Sequence, residues 1–283
     1  MNRWSWSDFQ LYVITGENYH PGRSMLEVME QAIIGGADIV QLRAKDTPKE
    51  ELLAQAFALR ELTDRYHVPL IINDHLDVAI AVQADGVHLG QEDLPLAEAR
   101  RILGPAAIIG ISTHSIEQAI EAEAGGADYI GVGPVFPTGT KPGRQAVTTE
   151  YVRSAAERVK IPWVAIGGIT LSNVDEVIAA GAARICAVSA IVGSDNVADA
   201  CRAFREKINQ QQISQKEKLS IRINGREEQT TAQSVSELIE LLGFAGKRMV
   251  VELNGTIIAR EAWRETEIEQ GASLELVHFV GGG

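Results

Sequence analysis

The sequence is short of cysteine, of positive charge and of long apolar runs, and each shortage removes a class of function. Its two cysteines, Cys186 and Cys201, lie in apolar or helical contexts with no metal-ligand spacing, so they read as reduced core residues. A formal net charge of −12 over 283 residues offers nothing to a nucleic-acid backbone or an anionic membrane. No stretch approaches the ~20 apolar residues that span a bilayer. The opening MNRWSWSDFQ lacks the apolar core of a secretory signal, and the expectation is a cytoplasmic protein. Also missing is any Ser–His–Asp or Cys–His arrangement. The six histidines are scattered; His88 and His114 fall at strand ends, where they are read as local hydrogen-bonding groups without a catalytic role.

What is present is a repeat. AIIGGADIVQLR (32–43), AEAGGADYIGVG (122–133) and IAAGAARICAVS (178–189) each pair a helix end and a small-residue turn with an apolar strand. Strands so continuously apolar are buried on both faces and belong to parallel sheets. Extending the pattern gives eight strands, over 10–16, 39–45, 69–74, 86–90, 106–113, 129–135, 162–168 and 184–191. Helical patterns such as PKEELLAQAFALRELTDRYH, with Pro48 in the first turn, lie between them. Eight strand-then-helix units fit an α/β fold of the (β/α)8 TIM barrel type, with a doubly wound open sheet as the alternative. INQQQISQKEK (208–218) reads as a polar linker. Beyond it, LSIRING, SVSELIELLG and RMVVELNG give strand, Ser-capped helix and strand. The expected organisation is a barrel over 1–207, a linker over 208–218 and a small α+β domain over 219–283.

A barrel places its chemistry at the C-terminal ends of strands. QLRAK ends the second strand with Gln41, Arg43 and Lys45 on one face, an amide and two cations suited to a polyanion. NDH and GVHLGQED supply Asn73, Asp74 and Asp93; two carboxylates beside two cations suit Mg²⁺ held between protein and phosphate oxygens. GISTH brings Ser112, and PTGTK brings Thr138, Thr140 and Lys141. AIGGI and VSAI add Gly168, Val188 and Ser189, where barrels commonly seat a phosphate on backbone N–H groups.

QLRAK, NDH, GVHLGQED, GISTH, PTGTK, AIGGI and VSAI, in this order and spacing, resemble thiamine-phosphate synthase. The resemblance implies that 4-amino-2-methyl-5-hydroxymethylpyrimidine diphosphate is joined to a thiazole phosphate with release of pyrophosphate. It implies Mg²⁺ on Asp74 and Asp93, and a diphosphate grip from Arg43, Lys45, Asn73, Thr140 and Lys141. Ser112 would stand near the reacting pyrimidine, Gln41 and Thr138 would position substrates, and Gly168, Val188 and Ser189 would meet the thiazole phosphate. Arg43, Lys45, Ser112 and Lys141 are the implied catalytic set. A related thiazole tautomerase uses the same barrel and is the alternative activity.

The segment from Leu219, with Asn-Gly turns at Asn224 and Asn254 and a final strand running into three glycines, resembles the β-grasp sulfur carrier of thiamine biosynthesis. That implies a thiocarboxylate at Gly283, preceded by Gly282, formed by a partner adenylating enzyme and delivered to a thiazole synthase. A ubiquitin-like docking module without covalent chemistry is the alternative. Val251, Leu253 and Phe279 are candidate docking residues.

Overall fold

The computed structural model describes residues 9–138, 146–215, 219–247 and 249–278. Eight parallel strands close into a barrel in chain order: β1 (Leu11–Ile14), β2 (Ile39–Leu42), β3 (Leu70–Asn73), β4 (Gly86–Leu89), β5 (Ile108–Thr113), β6 (Tyr129–Val132), β7 (Trp163–Ile166) and β8 (Ile185–Cys186). Closure is carried by β8 against β1, with Leu11 opposite Ile185 and Tyr12 opposite Cys186, and this excludes the open sheet. Between and after the strands come α1 (Met25–Ile34), α2 (Lys49–Tyr66), α3 (Leu76–Ala81), α4 (Leu96–Leu103), α5 (Ile116–Ala124), α6 (Thr148–Arg158), α7 (Val174–Ala179), α8 (Ser189–Val192) and α9 (Val197–Gln215). In α2, Leu52, Ala56, Leu59 and Thr63 recur at helical spacing and form its buried stripe.

Alternation along the strands sorts the core into two layers. Leu11, Val13, Val40, Leu42, Leu70, Ile72, Val87 and Ile109 point outward and pack with the helices. Tyr12, Ile14, Ile39, Ile71, Tyr129, Val164 and Cys186 form a separate cluster with Phe9. Tyr129 fits because Gly110 stands across from it: a Cβ there would lie 2.1 Å from the tyrosine ring.

Three of the turns that lead into strands end in an aspartate that ties neighbouring strands together. Asp38 accepts from the backbone N–H groups of Gln10 and Leu11 and from Arg205. Asp85 accepts from Leu70 N–H and Arg60, and Asp128 from Ile109 N–H and Arg100. Each carboxylate satisfies an orphan strand donor and anchors a helix guanidinium.

Two sequence expectations change. The strand expected over 184–191 stops after Cys186; beyond it the chain turns on itself, with Val192 and Gly193 N–H bonded to Val188 and Ser189 carbonyls. α9 continues to Gln215, so most of the expected linker is helical; its glutamines and lysines are good helix formers, and composition alone does not separate that from coil.

The chain divides into two compact units, Met1–Gln211 and Gln212–Gly283. The second unit holds β9 (Leu219–Ile223), β10 (Arg226–Thr230), α10 (Val235–Leu241), β11 (Met249–Leu253), β12 (Thr256–Ile258) and β13 (Ser273–His278), with sheet order β10-β9-β13-β11-β12. β13 runs parallel to β9 and antiparallel to β11, the β-grasp arrangement. Asn224–Gly225 and Asn254–Gly255 take positive φ throughout, as two-residue hairpin turns require. Ser234 caps α10 by accepting from Glu237 N–H. Val251 is fully buried in this unit's core and so is not available to dock a partner, while Leu253 is partly buried against that core; Phe279 lies outside the described residues.

Asp38→Ala should cost roughly 1–3 kcal/mol, since two strand N–H groups and a guanidinium lose their acceptor. Asp64→Ala, at the exposed partner of Arg60, should cost under about 1 kcal/mol. Urea denaturation of the two variants checks the contrast.

Candidate functional site

At the C-terminal ends of the strands the inward positions turn polar. Gln41, Asn73, His88 and Ser112 stand one alternation above Ile39, Ile71, Gly86 and Gly110, and the ladder sets Asn73 opposite His88. They line a cleft of about 880 Å³, counting its open mouth, together with Arg43, Thr138, Gly168, Val188 and Ser189. Eight of the residues singled out from sequence therefore share one wall: Gln41, Arg43, Asn73, Ser112, Thr138, Gly168, Val188 and Ser189.

Arg43 is held by its backbone. Its N–H donates to Thr15 Oγ1 at 2.8 Å, and that hydroxyl donates to Arg43 O at 3.2 Å. The side-chain Nε is buried without a hydrogen-bond partner among the described residues. A cation whose buried Nε–H is unspent among the described residues is what an incoming anion needs.

Lys45, Asp74 and Asp93 form a second group. Lys45 Nζ lies 3.4 Å from Asp74 Oδ2. Asp74 takes a left-handed backbone, φ 62°, with its N–H on His88 O, which turns the chain out of β3. Asp93 folds back to accept from Gly90 N–H at 2.6 Å. Burial pushes the Asp74 carboxyl above the ordinary range, the facing Asp93 adds to the rise, and Lys45 opposes it. Two carboxylates against one lysine leave an excess of negative charge that a divalent cation would relieve, so the donor set fits Mg²⁺.

The loops after β6 and β7 are stapled together. Val135 and Phe136 N–H donate to Ile166 O and Gly167 O, and Asn173 Nδ2 donates to Gly168 O. Gly168 sits at φ 66°, and a Cβ there would lie 2.6 Å from Pro137 O, so the backbone comes close to its neighbour only because the side chain is missing. Thr140, Lys141, Gly282 and Gly283 fall outside the described residues.

Sequence reasoning missed a polar chain inside the barrel. Gln41 Nε2 donates to Tyr12 OH at 2.7 Å, Tyr12 OH meets Tyr129 OH at 2.8 Å, Tyr129 OH meets His88 Nδ1 at 3.0 Å, and His88 Nε2 meets Ser112 Oγ at 2.9 Å. The available signal was a tyrosine at an inward position of two otherwise aliphatic strands.

A thiamine monophosphate synthase family model matches residues 11–191, and a ThiS family model matches residues 220–283. The thiamine-phosphate synthase of Halalkalibacterium halodurans is 57% identical over 207 residues, 73% of this chain and 98% of that protein. The thiamine-phosphate synthase of Methanospirillum hungatei is 50% identical over 200 residues, 70% of this chain and 97% of its own. Among solved structures, a thiamine phosphate pyrophosphorylase from Pyrococcus furiosus is 40% identical with a TM-score of 0.67, covering 73% of this chain and 98% of its own. These likenesses select the synthase over the tautomerase.

An acid whose folded pKa is raised costs the native state stability once it ionises. Asp74→Asn should therefore raise the thermal midpoint at neutral pH, and the gain should shrink as pH falls through the carboxylate range, where wild-type Asp74 is itself protonated. Calorimetry of both proteins in metal-free buffer across that range checks the sign.

Proposed function

The chain belongs to the thiamine monophosphate synthase family, and from that membership we propose that it couples 4-amino-2-methyl-5-hydroxymethylpyrimidine diphosphate to thiazole phosphate, giving thiamine phosphate and pyrophosphate. The observation that carries this reading is the pairing of an anion-ready Arg43 and Asn73 in the cleft with the facing carboxylates Asp74 and Asp93. The bond to the diphosphate breaks as charge builds on the leaving oxygens, and fixed cations there lower the barrier. Arg43, Lys45 and Lys141 supply that charge, with Asn73 and Thr140 donating beside them. Asp74 and Asp93 would hold Mg²⁺, which when bound adds Lewis-acid stabilisation of the leaving group. The aminopyrimidine ring stabilises positive charge at its methylene, so the protein's task is orientation and water exclusion more than base catalysis. Ser112 faces the pyrimidine, Gln41 and Thr138 align the two substrates, and backbone N–H groups around Gly168, Val188 and Ser189 receive the thiazole phosphate.

The ThiS-family segment acts, in this reading, as a sulfur carrier. An adenylating enzyme uses ATP to convert the Gly283 carboxylate to an acyl adenylate with release of pyrophosphate, a sulfur donor displaces AMP to leave a thiocarboxylate, that thiocarboxylate passes its sulfur to a thiazole synthase, and Gly282 keeps the tail thin enough to enter both enzymes. The division is a synthase over 1–207 and a carrier over 219–283. Among the described residues no helix is long and apolar enough to cross a membrane; a cytoplasmic setting accords with the reduced cysteines and is proposed with the rest.

In a pyrophosphate-release assay with both substrates, Asp74→Asn and Asp93→Asn should each lower kcat by about 100-fold or more, and EDTA should abolish turnover. Full activity in both variants would overturn the assignment. For the carrier, intact mass after incubation with ATP, the pathway's activating enzyme and a sulfur donor should rise by the exchange of one oxygen for sulfur, with no rise when Gly283 is deleted. No rise with a partner proven active on a free carrier would leave the segment as a docking module.

A further inference from the structure

Tyr129 is fully buried and is not part of the cleft wall. Its ring lies 5.9 Å from that of Tyr12 and 5.5 Å from that of His88 between centroids, and its hydroxyl is the midpoint of the polar chain from Gln41 to Ser112.

One order of protons along the chain gives the amide, both phenols and the imidazole an acceptor within it. An amide nitrogen donates and does not accept, so Tyr12 OH receives from Gln41 Nε2. Each phenol owns one proton, and burial raises both hydroxyls above their ordinary range, so each stays protonated at neutral pH. In that order Tyr12 passes its proton toward Tyr129, and Tyr129 passes its own toward His88 Nδ1. A ring nitrogen that accepts carries no hydrogen, so the neutral imidazole keeps its proton on Nε2 and donates it to Ser112 Oγ. With that lone pair engaged, the Ser112 proton is directed at an acceptor in the cleft, whose wall Ser112 joins.

We propose that Tyr129 and His88 are positioning residues for Ser112: they fix the histidine tautomer and thereby make the serine hydroxyl a hydrogen-bond donor toward a substrate acceptor, a pyrimidine ring nitrogen or a diphosphate oxygen. Neither residue belongs to the binding set expected from sequence. The inference rests on the reading that Ser112 faces the substrate.

Nitrogen-15 NMR of the full chain labelled at histidine, with His88 assigned by the signal lost in His88→Asn, reads the tautomer directly. The expected result is a protonated Nε2 in the wild type and a changed Nδ1 signal in Tyr129→Phe. Turnover in Tyr129→Phe should fall about 10- to 100-fold through kcat, with KM for both substrates within about twofold, because one directed donor is lost while the cleft wall is kept. His88→Gln, whose amide N–H reaches the Nε2 position, should retain more activity than His88→Asn. A wild-type proton on Nδ1, a Tyr129→Phe enzyme with wild-type kcat, or equal activity of the two His88 variants would overturn the proposal. If Tyr129→Phe does not fold, the wild-type tautomer and the His88 pair decide it. Wild-type kcat in Ser112→Ala would instead refute the substrate-facing reading of Ser112, while the NMR result still judges the chain that orients it.

Discussion

Closing a ring of strands two to six residues long forces every side chain to choose between two environments, and the molecule is organised by that choice. Outward residues are aliphatic because helices cover them, and inward residues are apolar low in the barrel and polar near its open end. The strands are almost uniformly apolar in composition, yet a shift of one position would carry Gln41 into the helix layer and Leu42 into the cleft. The aspartate ties at the strands' N-terminal ends help hold that register: Asp38, Asp85 and Asp128 each lock an N–H in the first two residues of a neighbouring strand to a helix arginine.

The two ends of the barrel handle charge in opposite ways. At the N-terminal end each partly buried carboxylate has an arginine and backbone donors, so its charge is matched where it sits. At the C-terminal end Asp74 and Asp93 face each other with one lysine near Asp74, and Arg43 Nε has no hydrogen-bond partner among the described residues. The first arrangement favours folding, and the second leaves charge in the cleft unmatched, as the proposed binding of an anion and a divalent cation requires.

Much of this was legible because the informative pattern was local. Period-two spacing put Gln41 and Arg43 on one face, and the small-residue turns marked where strands begin, so all eight strands could be placed from sequence. The failures were of three kinds. The end of β8 depends on whether neighbours continue to pair, which VSAI does not reveal. The helix through Gln215 arises from residues whose composition suits linker and helix alike. The Tyr12–Tyr129–His88 chain joins residues as far apart as 117 positions, and a tyrosine in a strand looks like any other large apolar filler until its hydroxyl's partner is known. The reading of the barrel's closure needed the same kind of long-range fact, since only the pairing of β8 with β1 distinguishes a ring from an open sheet.

Because the strands are so short, each inward face is only about two storeys high, and a functional side chain rests on the residue two letters before it. Gln41 stands on Ile39, Asn73 on Ile71, His88 on Gly86, and Ser112 on Gly110. Natural variation at those lower letters is therefore variation in the foundations of the cleft. A change from glycine to alanine at position 110 adds a single methyl group, yet it presses on Tyr129 and reaches Ser112 by two routes at once, along its own strand and through His88.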